Sequence, residues 1–155
     1  MTGKSIEQLA NIDENELPRQ GKEREALVRI RVNQNFFRAA VLTAYNLRCC
    51  ITDLSVPELL NASHIIPWSM SNENRVNPRN GLCLNAIHDR AFDRGLLTIL
   101  PDYTIKISSA LKKLSKNIAV KDFLLRYDGL AIKRPERFLP DILFLKYHNE
   151  KIFKP

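Results

Sequence analysis

From Lys22 to about Arg48, apolar side chains return at three- and four-residue steps. Phe37, Ala40, Val41, Ala44 and Tyr45 share one stripe, which predicts an amphipathic helix with a core-facing side. Asn33 offers a cap for the second half of that region. The period changes after Arg48. CCIT (49–52) is short and β-prone, and Asp53, Ser55 and Pro57 mark a turn. ASHII (62–66) reads as a strand stopped by Pro67. WSMSNENRVNPRNG (68–81) is polar and rich in asparagine, which predicts a loop. LCL (82–84) is a second short strand. Asn85 caps a predicted helix over AIHDRAFD (86–93), and Gly95 ends it. LLTI (96–99) and YTIKI (103–107), parted by Pro101 and Asp102, predict a hairpin.

The remaining segments, SSALKKLSKN, VKDFLLRYDG and PDILFLKYHNEKIF, read as helices punctuated by Pro135 and Pro140. Residues 1–21 hold the acidic run NIDENE, Pro18 and Gly21, and predict a short helix or loose lead-in. The fold class is α+β with a small antiparallel sheet, an N-terminal helix and C-terminal helices. At 155 residues the chain suits one domain. Its parts are a helical lead-in (1–48), a central core (49–107) and a basic helical C-terminal part (108–155).

Composition narrows the class. With 45% hydrophobic and 26% charged residues the chain can bury a core, unlike a disordered segment. No apolar run approaches the roughly 20 residues of a membrane span, and the polar N-terminus lacks a hydrophobic signal core, so a cytoplasmic location is expected. Cys49, Cys50 and Cys83 form no CxxC pair and are expected to be buried, reduced side chains rather than zinc ligands. The net charge of +7 favours a polyanionic partner. Its distribution is uneven. The excess is +2 over residues 1–48, −1 over 49–107 and +6 over 108–155. A nearly neutral centre followed by a basic C-terminal part suits a reactive site beside a phosphate-gripping surface; a solvated lysine-rich surface explains the same charge.

The chain has three histidines, and two of them frame the neutral centre. His64 lies on the ASHII strand and His88 in the first turn of the AIHDRAFD helix, where the dipole favours the neutral imidazole. Between them stand Asn80 and Gly81. Phosphodiester hydrolysis needs a base for the attacking water and a cation for the phosphate charge, held close together. The run from Cys49 to Ile99 resembles the HNH endonucleases, the ββα-metal nucleases. It is most similar to the bacterial branch patterned as A-H-I-x-P, N-G-L-x-L and H-x-x-F-D-x-G-L. Those elements are here Ser63-His64-Ile65-Ile66-Pro67, Asn80-Gly81-Leu82-Cys83-Leu84, and His88 through Phe92, Asp93 and Gly95 to Leu96. A fainter likeness reaches back over Gln34 to Arg38.

The resemblance implies a ββα-metal core and specific roles. His64 matches the general base. Asn80 matches the asparagine that ties the loop and helps orient that base. His88 matches the metal ligand on the helix, and Asp93 an aspartate that helps hold the metal or closes the helix end. The implied cofactor is one divalent ion, Mg²⁺ or Mn²⁺ first, with Zn²⁺ or Ni²⁺ as alternatives. Ser63 departs from the pattern of many members, which place a stronger ligand there; Asp93, Asp89, Asn85 and Asp53 are the candidates for the second ligand. Arg79, Arg90, Arg94, Lys112, Lys113 and Lys116 are phosphate-contact candidates. His148 and Trp68 are expected to be structural.

The resemblance thus implies a metal-dependent DNA endonuclease of restriction or phage-defence type. A homodimer, or a partner domain or subunit, would choose the target. Two other readings stay open: a non-catalytic nucleic-acid-binding module with a degenerate site, which Ser63 favours, and a toxin-type nonspecific nuclease.

Overall fold

The computed structural model describes residues 21–155. The segment 1–21, expected as a short helix or loose start to the helical lead-in, therefore lies, except for Gly21, outside the described residues. The first helix, α1, runs unbroken over Gly21–Ala44 and buries Val32, Phe37, Val41, Leu42 and Ala44. Asn33 sits inside it and caps nothing, because the apolar stripe continues through that point and the core rewards helix on both sides. The helix stops earlier than Arg48. Asn46 and Leu47 take positive φ and reverse the chain.

CCIT is not a strand. The backbone N–H of Cys49 donates to the Leu54 carbonyl, and that of Asp53 to the Cys49 carbonyl, closing a tight turn. The β-branched side chains there serve burial instead of a ladder, and Cys50 N–H donates to Cys83 O on a neighbouring strand. All three cysteines are free and buried.

Two antiparallel ribbons follow. β1 (Leu60–His64) pairs with β2 (Gly81–Asn85). Leu60 lies opposite Asn85 and His64 opposite Gly81. The first ribbon thus joins the two strands expected separately, and β1 sits two residues nearer the N-terminus than expected. Residues 65–80 connect them as a loop with short 3-10 turns at Trp68–Met70 and Pro78–Asn80. β3 (Leu97–Ile99) and β4 (Ile105–Ile107) form the expected hairpin. Between the ribbons, α2 (Ala86–Asp93) starts at Asn85, whose side-chain oxygen accepts from the Ile87 and His88 N–H groups.

α1 lies against the β1–β2 ribbon, and Gly81 is the point of closest approach. A Cβ there would run into Val41 and Phe37. Glycine at 81 thus lets the helix settle onto the strand end that carries His64.

The C-terminal part is made of α3 (Ser109–Lys112), α4 (Ile118–Phe123) and α5 (Ile142–Lys151). Asp141 caps α5 by accepting from Leu143 N–H. His148 in α5 is 1% exposed. Its Nε2 bonds the Phe92 carbonyl at 3.0 Å and its Nδ1 the Thr98 hydroxyl at 2.7 Å, while its ring stacks on Phe92 at 3.7 Å. α5 therefore locks the C-terminal end of α2 to β3. No described helix is long and apolar enough to cross a membrane.

Candidate active site

A cleft of about 530 Å³ opens between α1, β1 and α2. His64, Ser63, Asp89 and Asp93 line it, with Trp68 at its rim and Arg38 and Gln34 on the α1 wall. His64 comes from the last position of β1. Its ring stacks on Phe37 at 3.8 Å and 9°, and meets the edge of Trp68 at 5.5 Å. Trp68 is itself held, since the Arg75 guanidinium lies 4.7 Å over its ring and Arg75 Nε donates to its carbonyl. Nε2 of His64 lies 2.8 Å from the Arg75 carbonyl. A carbonyl only accepts, so this nitrogen carries the proton and Nδ1 is left as the ring's proton acceptor. Burial lowers the imidazole pKa below its usual value, against a smaller upward pull from the Arg75 carbonyl. The ring is thus held neutral in water near pH 7.

Asn80 holds the loop that supplies this carbonyl. It is 1% exposed. Its Oδ1 accepts from Ile66 N–H at 2.8 Å, and its Nδ2 donates to the carbonyls of Ile66 and Asn74 at 3.1 and 3.2 Å. Its own carbonyl accepts from Ile65 N–H. Asn74 immediately precedes Arg75, so the amide of Asn80 fixes the loop next to the contact on His64.

Asp89 and Asp93 stand one turn apart on α2 and share the face turned to the cleft. Asp89 accepts from Ser63 Oγ and from Asn61 Nδ2. Ser63 thus positions a carboxylate instead of offering a ligand of its own. Partial burial raises the Asp93 carboxyl pKa, repulsion from Asp89 adds to it, and Arg90 and Arg94 act in the opposite direction.

His88 is not in this cleft. It is 2% exposed and packs on the other flank of α2, against the edge of Tyr127. The Asn85 amide sits 2.9 Å from its Nδ1. Burial brings its pKa down to about 4, with the Phe123 carbonyl opposing. His64 and His88, the two histidines of the motif, therefore face different cavities: His88 helps line a second one with Asn85, Phe123 and Tyr127. Successive residues on a helix point about 100° apart, so a helix that turns Asp89 to the cleft turns His88 away. Asn85 is likewise engaged, as cap and partner of His88. Asp53 pairs with Lys133 at 3.0 Å and Arg48 at 3.4 Å and also lines the second cavity.

The basic candidates lie outside the cleft lining. Arg79, Arg90 and Arg94 are exposed, as are Lys112, Lys113 and Lys116. Lys112 bonds Asp128 at 3.0 Å. In the sequence Asp89 is one of several possible second ligands, and nothing there places Arg38 in the cleft. Arg38 is four residues after Gln34, a spacing that places both on one helix face.

A metal fits the donor set in a limited way. Among the described residues no group of three or more His, Cys, Asp and Glu side chains clusters. Two carboxylates that repel each other from one helix face still match Mg²⁺ or Mn²⁺, ions held by one or two carboxylates plus water and substrate phosphate oxygens. They do not match a thiolate- or imidazole-rich zinc site.

Residues 49–100 match the family model described as HNH endonuclease. The matched residues are those that build β1, β2 and α2, about a third of the chain. A solved structure described as "Modification dependent TagI restriction endonuclease" aligns with a TM-score of 0.56 at 18% identity, over 75% of this chain and 37% of that one. The likeness is one of fold, and the chain spans little more than a third of that structure's length. No curated protein matched the chain.

Proposed function

We propose that the chain is a divalent-metal-dependent DNA endonuclease with His64 as general base and Asp89 and Asp93 as the metal-holding carboxylates. The observation that carries the reading is the pinned imidazole. A neutral His64, fixed through Nε2 by the Arg75 carbonyl, shares one cleft with two aspartates. Its Nδ1 would take the proton of the attacking water. A single bound divalent ion would supply positive charge for the phosphate and the leaving oxygen. Asp89, held by Ser63 and Asn61, and Asp93, left with a raised pKa, are the groups such an ion would bind. Asn80 acts as a positioning residue through the loop, and His88 supports α2 from its buried flank. The +7 charge suits DNA as the polyanionic substrate. Restriction-type use accords with the structural neighbour's description; target choice would fall to a homodimer or to another domain or subunit.

One observation favours the rival reading of a non-catalytic DNA-binding module. Asp89 spends both carboxylate oxygens on Asn61 and Ser63. Incubation of plasmid DNA with Mg²⁺ or Mn²⁺, with an EDTA control, separates the two. Cleavage that EDTA abolishes supports the enzyme, whereas DNA binding without cleavage under any divalent ion supports the module. Parallel RNA and single-stranded substrates test the toxin-type alternative.

A further inference from the structure

We infer that Arg38 is the phosphate-binding residue of this cleft and that Gln34, one turn before it, assists. The inference rests on the nuclease reading and names the group that receives its substrate. Arg38 stands on the α1 wall of the cavity that holds His64, Asp89 and Asp93. Its Nη1 donates to the Leu60 carbonyl at 2.8 Å and its Nη2 to the Pro57 carbonyl at 3.4 Å. Both acceptors are neutral. They fix the guanidinium in place without cancelling its charge. Arg48, Lys112 and Lys133 each have a carboxylate within 4.0 Å, while Arg38 has none among the described residues. Arg75, which lies over the cleft residue Trp68, is spent on that ring and its carbonyl.

A guanidinium carries five N–H donors and keeps its charge at any working pH. Two carbonyls leave three of those donors for another acceptor. The acceptor that suits a permanent, half-buried, pre-oriented cation is a planar or tetrahedral oxyanion, here a non-bridging phosphate oxygen. Pre-orientation matters, because a side chain already fixed loses little freedom on binding. Position matters too. The phosphate between Arg38 on one wall and the aspartates on the other would be presented to His64 at the end of β1. Gln34 adds neutral donors and acceptors from the same helix face. The alternative is that Arg38 only staples the Pro57–Leu60 segment to α1.

The test uses the full chain, a short DNA duplex and three variants. Arg38→Gln removes the charge and keeps a donor for Leu60 O, Arg38→Lys keeps the charge and loses the fork, and Gln34→Ala leaves Arg38 intact. Duplex affinity is measured in EDTA across a salt series, then single-turnover cleavage with Mg²⁺ or Mn²⁺. Arg38→Gln is expected to weaken binding roughly ten- to a hundredfold, the size of a lost charge-assisted contact. It should also flatten the slope of log affinity against log salt by about one. Arg38→Lys should restore the slope but cut more slowly than wild type. Gln34→Ala should weaken binding with the slope unchanged. A mere staple would lower the melting temperature and leave the slope alone. An unchanged slope in Arg38→Gln overturns the inference. The nuclease reading has its own failure: wild type that binds duplex but never cuts refutes it, while the salt slope still decides Arg38. Wild type that neither binds nor cuts refutes both.

Discussion

Replacing Asn80 tests whether its three side-chain hydrogen bonds set the shape of the cleft. Asn80→Ala removes the acceptor for Ile66 N–H at 2.8 Å and the donors to Ile66 O and Asn74 O at 3.1 and 3.2 Å. A typical intramolecular hydrogen bond contributes about 1 kcal/mol net, and a buried partner left unpaired costs about 1–3 kcal/mol. Asn74 and Ile66 are half-buried, so water reaches some of the freed groups. The expected loss is therefore about 3 kcal/mol rather than the full sum. A drop of this size is a large part of a small domain's stability, and urea denaturation reads it as a lower midpoint at unchanged slope. The second readout is catalytic. With Asn74 untied, the neighbouring Arg75 carbonyl loses its fixed place against His64 Nε2, so the single-turnover rate should fall more than duplex affinity does. Asn80→Asp sharpens the point. It keeps an acceptor for Ile66 N–H but turns a carboxylate toward two carbonyls, so its own pKa should be raised. A carboxyl with a raised folded pKa destabilises above that pKa and is relieved as pH falls through it. Asn80→Asp should therefore be at least as unstable as Asn80→Ala at pH 7 and recover relative to it toward pH 5. If Asn80→Ala melts within about 0.5 kcal/mol of wild type, the clamp is not holding the loop.

His64→Ala should bind duplex and metal nearly as wild type does yet cleave at least about a hundredfold more slowly, the usual size of general-base catalysis; equal rates would remove the base assignment. Because burial lowers the His64 pKa, the wild-type rate should rise with pH through a value below 6.5 and then level, and His64→Ala should lack that limb. Asp93→Asn should weaken divalent-ion binding by at least about tenfold in titration calorimetry, as even outer-shell partners do. His88→Ala should leave metal affinity unchanged and lower the melting temperature, and the opposite pattern would return the ligand role to His88. His88 and His148 both have pKa values near 4 in the folded chain, below the ordinary 6.5. Stability they support is complete above about pH 6.5 and drains away as pH falls toward 4, by up to about 3 kcal/mol each at 1.36 kcal/mol per pKa unit. Denaturation midpoints that do not move between pH 7 and 4.5 would refute this.

Much of the frame is written in local sequence. The 3.6-residue stripe from Phe37 to Tyr45 specified α1, Asn85 specified where α2 begins, and the turn at Pro101 and Asp102 specified the second hairpin. The order of Ser63-His64, Asn80-Gly81 and His88 through Asp93 marked the nuclease-like segment, because each element carries its own local chemistry. Only tertiary packing decided how those residues meet. The turn at Cys49 and Asp53 displaced an expected strand, since burying the cysteines against β2 outweighs the β-propensity of CCIT. The azimuth of α2 was equally hidden. Phe92 is stacked on His148, and the Asn85 amide grips His88, so the helix turns Asp89 and Asp93 toward the cleft and His88 away from it. Local pattern says that a helix forms. Which of its faces meets β1 is set by contacts from residues as distant as His148, and Arg38 enters the cleft for the same reason, through its bonds to Pro57 and Leu60.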